Sequence, residues 1–212
     1  MKILAIDTST KNLNIAVYLN GKVSGVYLEN CLKTHSEILL ANIDNLLKDL
    51  NLKLKDFDYY CCCVGPGSFT GIRIGVCTVK TFAQTFNKMV LAVNSNELYA
   101  YNENEKDGFV ISVLNAMNNK LYYAVYKGGS EVVKPSICEI GEFKNIALKF
   151  PGRIISDIEL PGFNVFLVGD LNNKLANLAY KKAARKKAVD FQNVEPLYVR
   201  LSAAEEKLGC AK

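Results

Sequence analysis

The chain has 212 residues, half of them apolar, and that is enough to bury a substantial core in one large domain or two small ones. Its net charge of +5, from 26 basic and 21 acidic residues, is mild, and the opening Met1 to Asp7 run is too short for a signal peptide or a membrane span. Seven cysteines, three of them consecutive at Cys61, Cys62 and Cys63, lack the spacing of a disulfide framework. Neighbours on a strand point to opposite faces, so these three cannot all serve one metal; they read as small hydrophobes kept reduced in a cytoplasmic protein.

Ile3 to Ile6 is a continuous apolar run, as a strand covered on both faces requires, and it ends in the polar turn Asp7-Thr8-Ser9-Thr10. Leu13, Ile15, Val17 and Leu19 alternate with smaller or more polar residues. Asn20-Gly21 then supplies a two-residue hairpin, because both positions tolerate positive φ, and Val23 to Leu28 returns as a third strand. A helix capped by Thr34 or Ser36 follows, with Leu39, Leu40, Ile43, Leu46, Leu47 and Leu50 forming a wide apolar stripe. Tyr59 to Val64 is a second buried strand. It runs into Gly65-Pro66-Gly67-Ser68-Phe69-Thr70-Gly71, and a helix leaves that loop with Ile72, Val76, Val79, Phe82, Ala83 and Phe86 at helical spacing. Met89 to Val93 closes this half as a strand, with Asn94 or Ser95 capping one more helix.

Residues 102–108 are the clearest polar linker and divide the chain into a first half, 1–101, and a smaller second half, 102–212. Past the linker the pattern restarts: strands at Phe109 to Leu114 and Leu121 to Tyr126, a turn at Gly128-Gly129, a helix near Glu142 to Phe150, a strand at Val165 to Val168, and a helix near Asn172 to Lys187. Two related α/β lobes are implied.

The glycine loop between strand and helix admits two readings. Glycines let backbone amides approach an anion at a helix N-terminus, or they serve turn geometry and close packing. It is neither a Walker loop nor a dinucleotide fingerprint. Asp7 could offer a carboxylate to a nucleotide-bound metal, or satisfy local backbone amides in a turn. On the phosphate reading, Asp7, Thr8, Gly65, Gly67 and Ser68 form the nucleotide site. His35 is the only histidine, so no two-His metal site can be built and no residue is assigned catalysis. The Lys181 to Lys187 cluster reads either as a solvated helix face or as a contact for RNA phosphate.

The blocks Ile3-Leu4-Ala5-Ile6-Asp7-Thr8-Ser9-Thr10, His35-Ser36-Glu37 and Val64-Gly65-Pro66-Gly67-Ser68-Phe69-Thr70-Gly71-Ile72-Arg73-Ile74-Gly75-Val76 resemble, in order and spacing, the TsaB (YeaZ) family. The resemblance covers roughly the first hundred residues, and Pro196 to Arg200 with Ala204-Glu205 resembles the family's ending. It implies an actin/Hsp70-like (ASKHA) two-lobed fold. It also implies a role in threonylcarbamoyl transfer to the adenosine next to the anticodon of ANN-decoding tRNAs. In that role the chain would be a non-catalytic scaffold that binds the TsaD-like catalytic paralogue through its first two helices and acts with a TsaE-like ATPase. The chain itself then needs no cofactor, ATP and Mg2+ entering at the level of the complex, and tRNA is met indirectly or through the Lys181 to Lys187 cluster. Asn115 departs from the family's usual Asp-Ala-Arg-Arg, and no Gly-Gly pair stands near Gly169-Asp170.

The partner contact is expected to be a four-helix bundle, two helices from each subunit, through His35, Leu39, Ile43, Leu46, Leu50, Ile72, Gly75, Val76, Val79 and Phe82. Leu39 and Val79 are expected to face outward, the Gly71/Gly75 pair is expected to permit close approach of the helices, and a homodimer can use the same faces when the chain is alone. Tyr198 and Arg200 are expected to anchor the tail. The alternatives are an ATP-dependent enzyme of the same superfold, using Asp7 and the Gly65 to Gly71 loop, and a peptidase.

Overall fold

A computed structural model describes residues 1–101 and 108–200. The linker expected at 102–108 lies outside the described residues apart from Gly108, and so does the Ala204-Glu205 pair. Strands β1 (Lys2–Asp7), β2 (Leu13–Leu19) and β3 (Lys22–Leu28) form an antiparallel meander. Helix α1 (His35–Asp49) leads to β4 (Tyr59–Cys63), α2 (Phe69–Phe86), β5 (Met89–Val93) and the short α3 (Ser95–Ala100). The sheet order is β3-β2-β1-β4-β5, with β4 parallel to β1 and β5 parallel to β4. Ile3 to Ile6 of β1 are wholly buried at the centre of this sheet, as an unbroken apolar run demands. The hairpin turn has Asn20 at φ 49° and Gly21 at φ 91°, and Leu19 pairs with Lys22 across it.

The second half repeats the plan with β6 (Phe109–Asn115), β7 (Lys120–Lys127), β8 (Ser130–Glu139), α4 (Phe143–Lys149), β9 (Gly152–Ser156), β10 (Val165–Leu167) and α5 (Asn172–Ala184). Its order, β10-β9-β6-β7-β8, mirrors the first sheet strand for strand, with antiparallel pairs on one side of β6 and parallel pairs on the other. Between β9 and β10 the connection contains no helix, which is why this lobe is smaller.

Three apolar cores result. One lies between the inner faces of the two sheets and includes α3 and α5; Ala5, Tyr18, Cys61, Tyr122, Tyr126 and Leu175 belong to it. A second joins the outer face of the first sheet to α1 and α2, and a smaller third joins the second sheet to α4. Cys61 and Cys62 fall in different cores, and burial pushes the Cys62 thiol up to about 12 and those of Cys61 and Cys63 well above their ordinary range. Residues 172–200 return to the first sheet: α5 packs on β1, β2, β3 and β5, Val189 bridges Val90, and the Leu197 amide donates to the Val64 carbonyl at 2.7 Å.

Thr34 is the cap of α1. The Glu37 carboxylate accepts from both the Thr34 amide (2.8 Å) and the Thr34 hydroxyl (2.7 Å). The orientation expected of the two long helices needs correction. Leu39 is 1% exposed and Val79 is 0%, and with Ile43, Leu46, Ile72 and Val76 they fill the chain's own second core; Leu50 and Phe82 pack against it partly buried. Gly75 is buried too, and a Cβ there or at Gly71 would meet Thr8 within 3.0 Å, so this small pair serves the approach of α2 to the end of β1 and not helix-to-helix contact. The faces turned outward are others. On α1 they carry Leu40, 58% exposed, Ala41, Asp44 and Asn45; on α2 they carry Arg73, Cys77 and Thr81. Among the described residues no helix is long and apolar enough to cross a membrane.

Candidate functional site

The polypeptide leaves β1 and β4 at the same end of the first sheet, where an open α/β sheet characteristically offers a crevice. A cleft of about 740 Å³ opens there between the two lobes. Ser9, Thr10, Lys11, Lys33, His35, Gly67 and Ser68 line one wall, and Leu114, Asn115, Ala116, Met117, Asp157 and Ile158 line the other.

The glycine loop forms part of this wall, and its glycines are packed against neighbouring groups of the fold. A Cβ on Gly67 would collide with the Ser9 carbonyl, one on Gly71 with the Thr8 carbonyl, and one on Gly65 with the Ile72 side chain and Leu197 carbonyl. The Ser68 hydroxyl accepts the Gly71 amide at 3.2 Å and caps α2, while the buried Thr8 hydroxyl donates to the Gly71 carbonyl at 2.7 Å. The glycines let the N-terminus of α2 lie directly on the turn that follows β1. Of the residues expected to form a phosphate site, Asp7, Thr8, Gly65, Gly67 and Ser68, only Gly67 and Ser68 reach the cleft wall, while Thr8, Gly65, Gly67 and Ser68 take part in seating α2.

Asp7 lies beneath the wall, 1% exposed. Its Oδ1 accepts the Ser9 amide at 2.8 Å, which is the turn-forming role. Its Oδ2 has no hydrogen-bond partner, and burial raises its pKa. Beside it runs a buried chain from the Cys63 thiol to the Ser95 hydroxyl (3.2 Å) and on to the Ser9 hydroxyl (3.1 Å).

His35 starts α1 and turns into the cleft wall, its Nε2 bonded to the Thr10 carbonyl at 2.7 Å. It therefore tethers the helix to the turn after β1. Opposite, Asn115 accepts the Met117 amide through Oδ1 (2.8 Å) and donates its own amide to Asp157 Oδ1 (2.9 Å). The departure at Asn115 thus shapes a turn in which Met117, Asn118 and Asn119 all have positive φ. Asp157, whose pKa burial raises, Lys11 and Lys33 were not singled out in the sequence; each is a lone charged residue without a motif, and only the meeting of the lobes makes them neighbours. Among the described residues no group of three His, Cys, Asp or Glu side chains is disposed to hold a metal.

The tail is anchored where expected. The Tyr198 ring stacks on Phe69 (centroids 4.4 Å apart, 5° between planes), the Arg73 Nε–H donates to its hydroxyl at 2.8 Å, and Arg200 donates to the Ala116 carbonyl at 2.8 Å across the cleft rim.

Residues 13–208 match the family model described as TsaD: tRNA N6-adenosine threonylcarbamoyltransferase. The tRNA threonylcarbamoyladenosine biosynthesis protein TsaB of Bacillus subtilis is 31% identical, over 98% of this chain and 97% of its own length; the protein of the same name from Escherichia coli is 27% identical over 98% of each. A crystal structure of a YeaZ-like protein from Pseudomonas aeruginosa superposes with a TM-score of 0.78 at 24% identity, covering 94% of this chain and 99% of that one, which shows the shared fold. The two-lobed actin-like architecture, the loop that lays α2 on the β1 turn, and similarity running the length of both chains agree: this chain belongs to the TsaB (YeaZ) family.

Proposed function

We propose that the chain serves the formation of threonylcarbamoyladenosine in tRNA as a non-catalytic subunit that docks a catalytic, TsaD-like paralogue through the outward faces of α1 and α2. Full-length similarity to proteins named for that biosynthesis supports the pathway. The observation that carries the non-catalytic part is the packing of Gly67, Gly71 and Gly75 against Thr8 and Ser9, which gives these glycines a structural role in seating α2 on the turn after β1. His35, tied to the Thr10 carbonyl, is a tether within the fold.

The outward faces suit a helix–helix contact. Thr81 and Thr85 donate their hydroxyls back to the Cys77 and Thr81 carbonyls (2.9 and 2.8 Å), so the outward face of α2 is low and self-satisfied there, while that of α1 carries the exposed Leu40 and Ala41. A homodimer of the isolated chain and recruitment of a TsaE-like ATPase belong to the same proposal, with ATP and Mg2+ held by the complex.

Gentle purification of the tagged chain from its own cell tests this. Recovery of the catalytic paralogue in near-equal amount supports the reading, and recovery of the chain alone while that paralogue is abundant in the lysate overturns it. Calorimetry with ATP and Mg2+ addresses the enzyme alternative: micromolar binding with hydrolysis by the chain alone would replace the scaffold.

A further inference from the structure

We infer that the end of the first sheet opposite the cleft is a docking surface for the phosphate backbone of structured RNA. The inference rests on the reading above that the chain serves an RNA-modifying assembly. Tyr180 in the last turns of α5 stacks on Tyr18 near the end of β2, with centroids 4.6 Å apart. Val189 then pairs with Val90 at the start of β5, through bonds of 2.9 and 2.8 Å. Arg185, Lys186 and Lys187, all exposed, are confined between these two points. Exposed Lys22 begins β3 at the same end, and Lys88 immediately precedes β5. Because β3 and β5 are the two edges of a five-stranded sheet, these lysines are four strand spacings apart, roughly 19 Å.

The cluster is not simply a solvated helix face. Lys182 is set apart by its ion pair with Glu97 (2.8 Å), which holds α5 to α3, and Lys181 lies over the Tyr101 ring at 5.5 Å. Cations in a final helical turn offset the helix dipole, but that influence fades within the turn and accounts for neither Lys22, Lys88 nor Lys187. The carboxylates at this end include Asp58, which accepts the Lys2 amide and lies 3.9 Å from the N-terminal ammonium, Asp56, which accepts the Lys53 amide at 2.8 Å, Asp49 at the end of α1, and Asp190, which accepts the Gln192 amide at 2.8 Å. Arg185 and Lys22, Lys88, Lys186 and Lys187 therefore form a basic pole with little internal neutralisation. Its span matches a backbone carrying one charge per about 1.7 Å of duplex axis. Lysines and arginines that meet phosphates position a nucleic acid without reading its bases. Lys88 follows α2 by two residues, so the pole adjoins the C-terminal end of that helix.

The test compares the full-length chain with a Lys22→Gln/Arg185→Gln/Lys187→Gln variant, and with a Lys134→Gln/Lys144→Gln/Lys149→Gln control of equal charge change in the second lobe. The probe is unmodified tRNA, titrated between 50 and 200 mM salt, ranges over which phosphate contacts are strongly attenuated. The pole variant should bind at least about tenfold more weakly, with a salt slope shallower by roughly 2 to 3, while the control follows the native chain. Unchanged tRNA affinity in the pole variant, an equal loss in the control, no tRNA binding by the native chain at the lowest salt, or a preference for phosphatidylserine vesicles over tRNA would each overturn the inference. Co-purification of the catalytic paralogue is scored on the same proteins: if the native chain fails to bring it down, the functional reading fails, whereas intact co-purification with unaltered RNA binding removes the pole alone.

Discussion

Leu39 and Leu40 are neighbours on α1 with opposite fates, and together they separate the core from the proposed docking face. Leu39 is 1% exposed within the core between the first sheet and its two helices, so Leu39→Ala leaves a cavity there and should cost about 2–5 kcal/mol, a large share of an ordinary domain's stability. Leu40 is 58% exposed, and Leu40→Asp should cost the isolated chain no more than about 0.5–1 kcal/mol, mostly helix propensity. At a partner contact the balance reverses. Burying what remains exposed of Leu40 is worth roughly 1–2 kcal/mol. An unpaired carboxylate in its place adds a desolvation cost of a few kcal/mol. The partner Kd should therefore rise by more than about a hundredfold. Urea unfolding of each variant and calorimetric titration with the catalytic paralogue measure both quantities. An unchanged urea midpoint for Leu39→Ala would refute the packing, and native affinity in Leu40→Asp would remove α1 from the interface.

Gly71→Ala places a Cβ against the Thr8 backbone and should destabilise by about 1–3 kcal/mol, lowering Tm by several degrees, whereas Gly141→Ala, with nothing within 4 Å, should not; equal Tm values would mean the loop has room. Tyr198→Ala removes the Phe69 stack and the Arg73 bond, worth roughly 1–2 kcal/mol together, and should speed hydrogen exchange at the Leu197 amide by about tenfold; unaltered exchange would show that the tail is held elsewhere. Asp7 has a folded pKa raised by burial, so its contribution to stability is fully present below the unfolded value and lost as pH rises through the folded one; Asp157 acts in the same direction. Asp7→Asn should accordingly gain on the native chain between acid and neutral pH, and a parallel pH dependence of the two urea midpoints would contradict the burial argument.

Local chemistry was legible wherever one residue type forces one conformation or one period. Asn20-Gly21 turned the chain, the unbroken Ile3 to Ile6 run took the sheet centre, and the spacing in α1 and α2 placed both helices. Two strands escaped. β8 carries Glu131, Lys134 and Pro135, the residues of an edge strand that need bury little, and β9 is five residues long with Gly152 and Arg153 leading it. Their pairing with β7 and β6 is decided by distant segments, not by their own pattern.

The same division governs the site. Sequence alone determined the family blocks, the strand–loop–helix setting of Gly65 to Gly71 and the single histidine, because each is a contiguous or countable feature. Tertiary structure decided which side of each helix faces inward, since an apolar stripe spanning Leu39 and Leu40 does not say where the sheet will lie. It also showed what the glycines lie against: spacing is equally compatible with an anion or with a backbone, and the α-carbons of Gly67 and Gly71 lie against the backbone of Ser9 and Thr8. The meeting of Lys11 and Lys33 with Asp157 across the cleft, and of Lys22 with Arg185 at the opposite pole, depends on strand order and on α5 folding back over the first sheet. Those are long-range choices, made by burial of the whole chain and not by any one stretch of it.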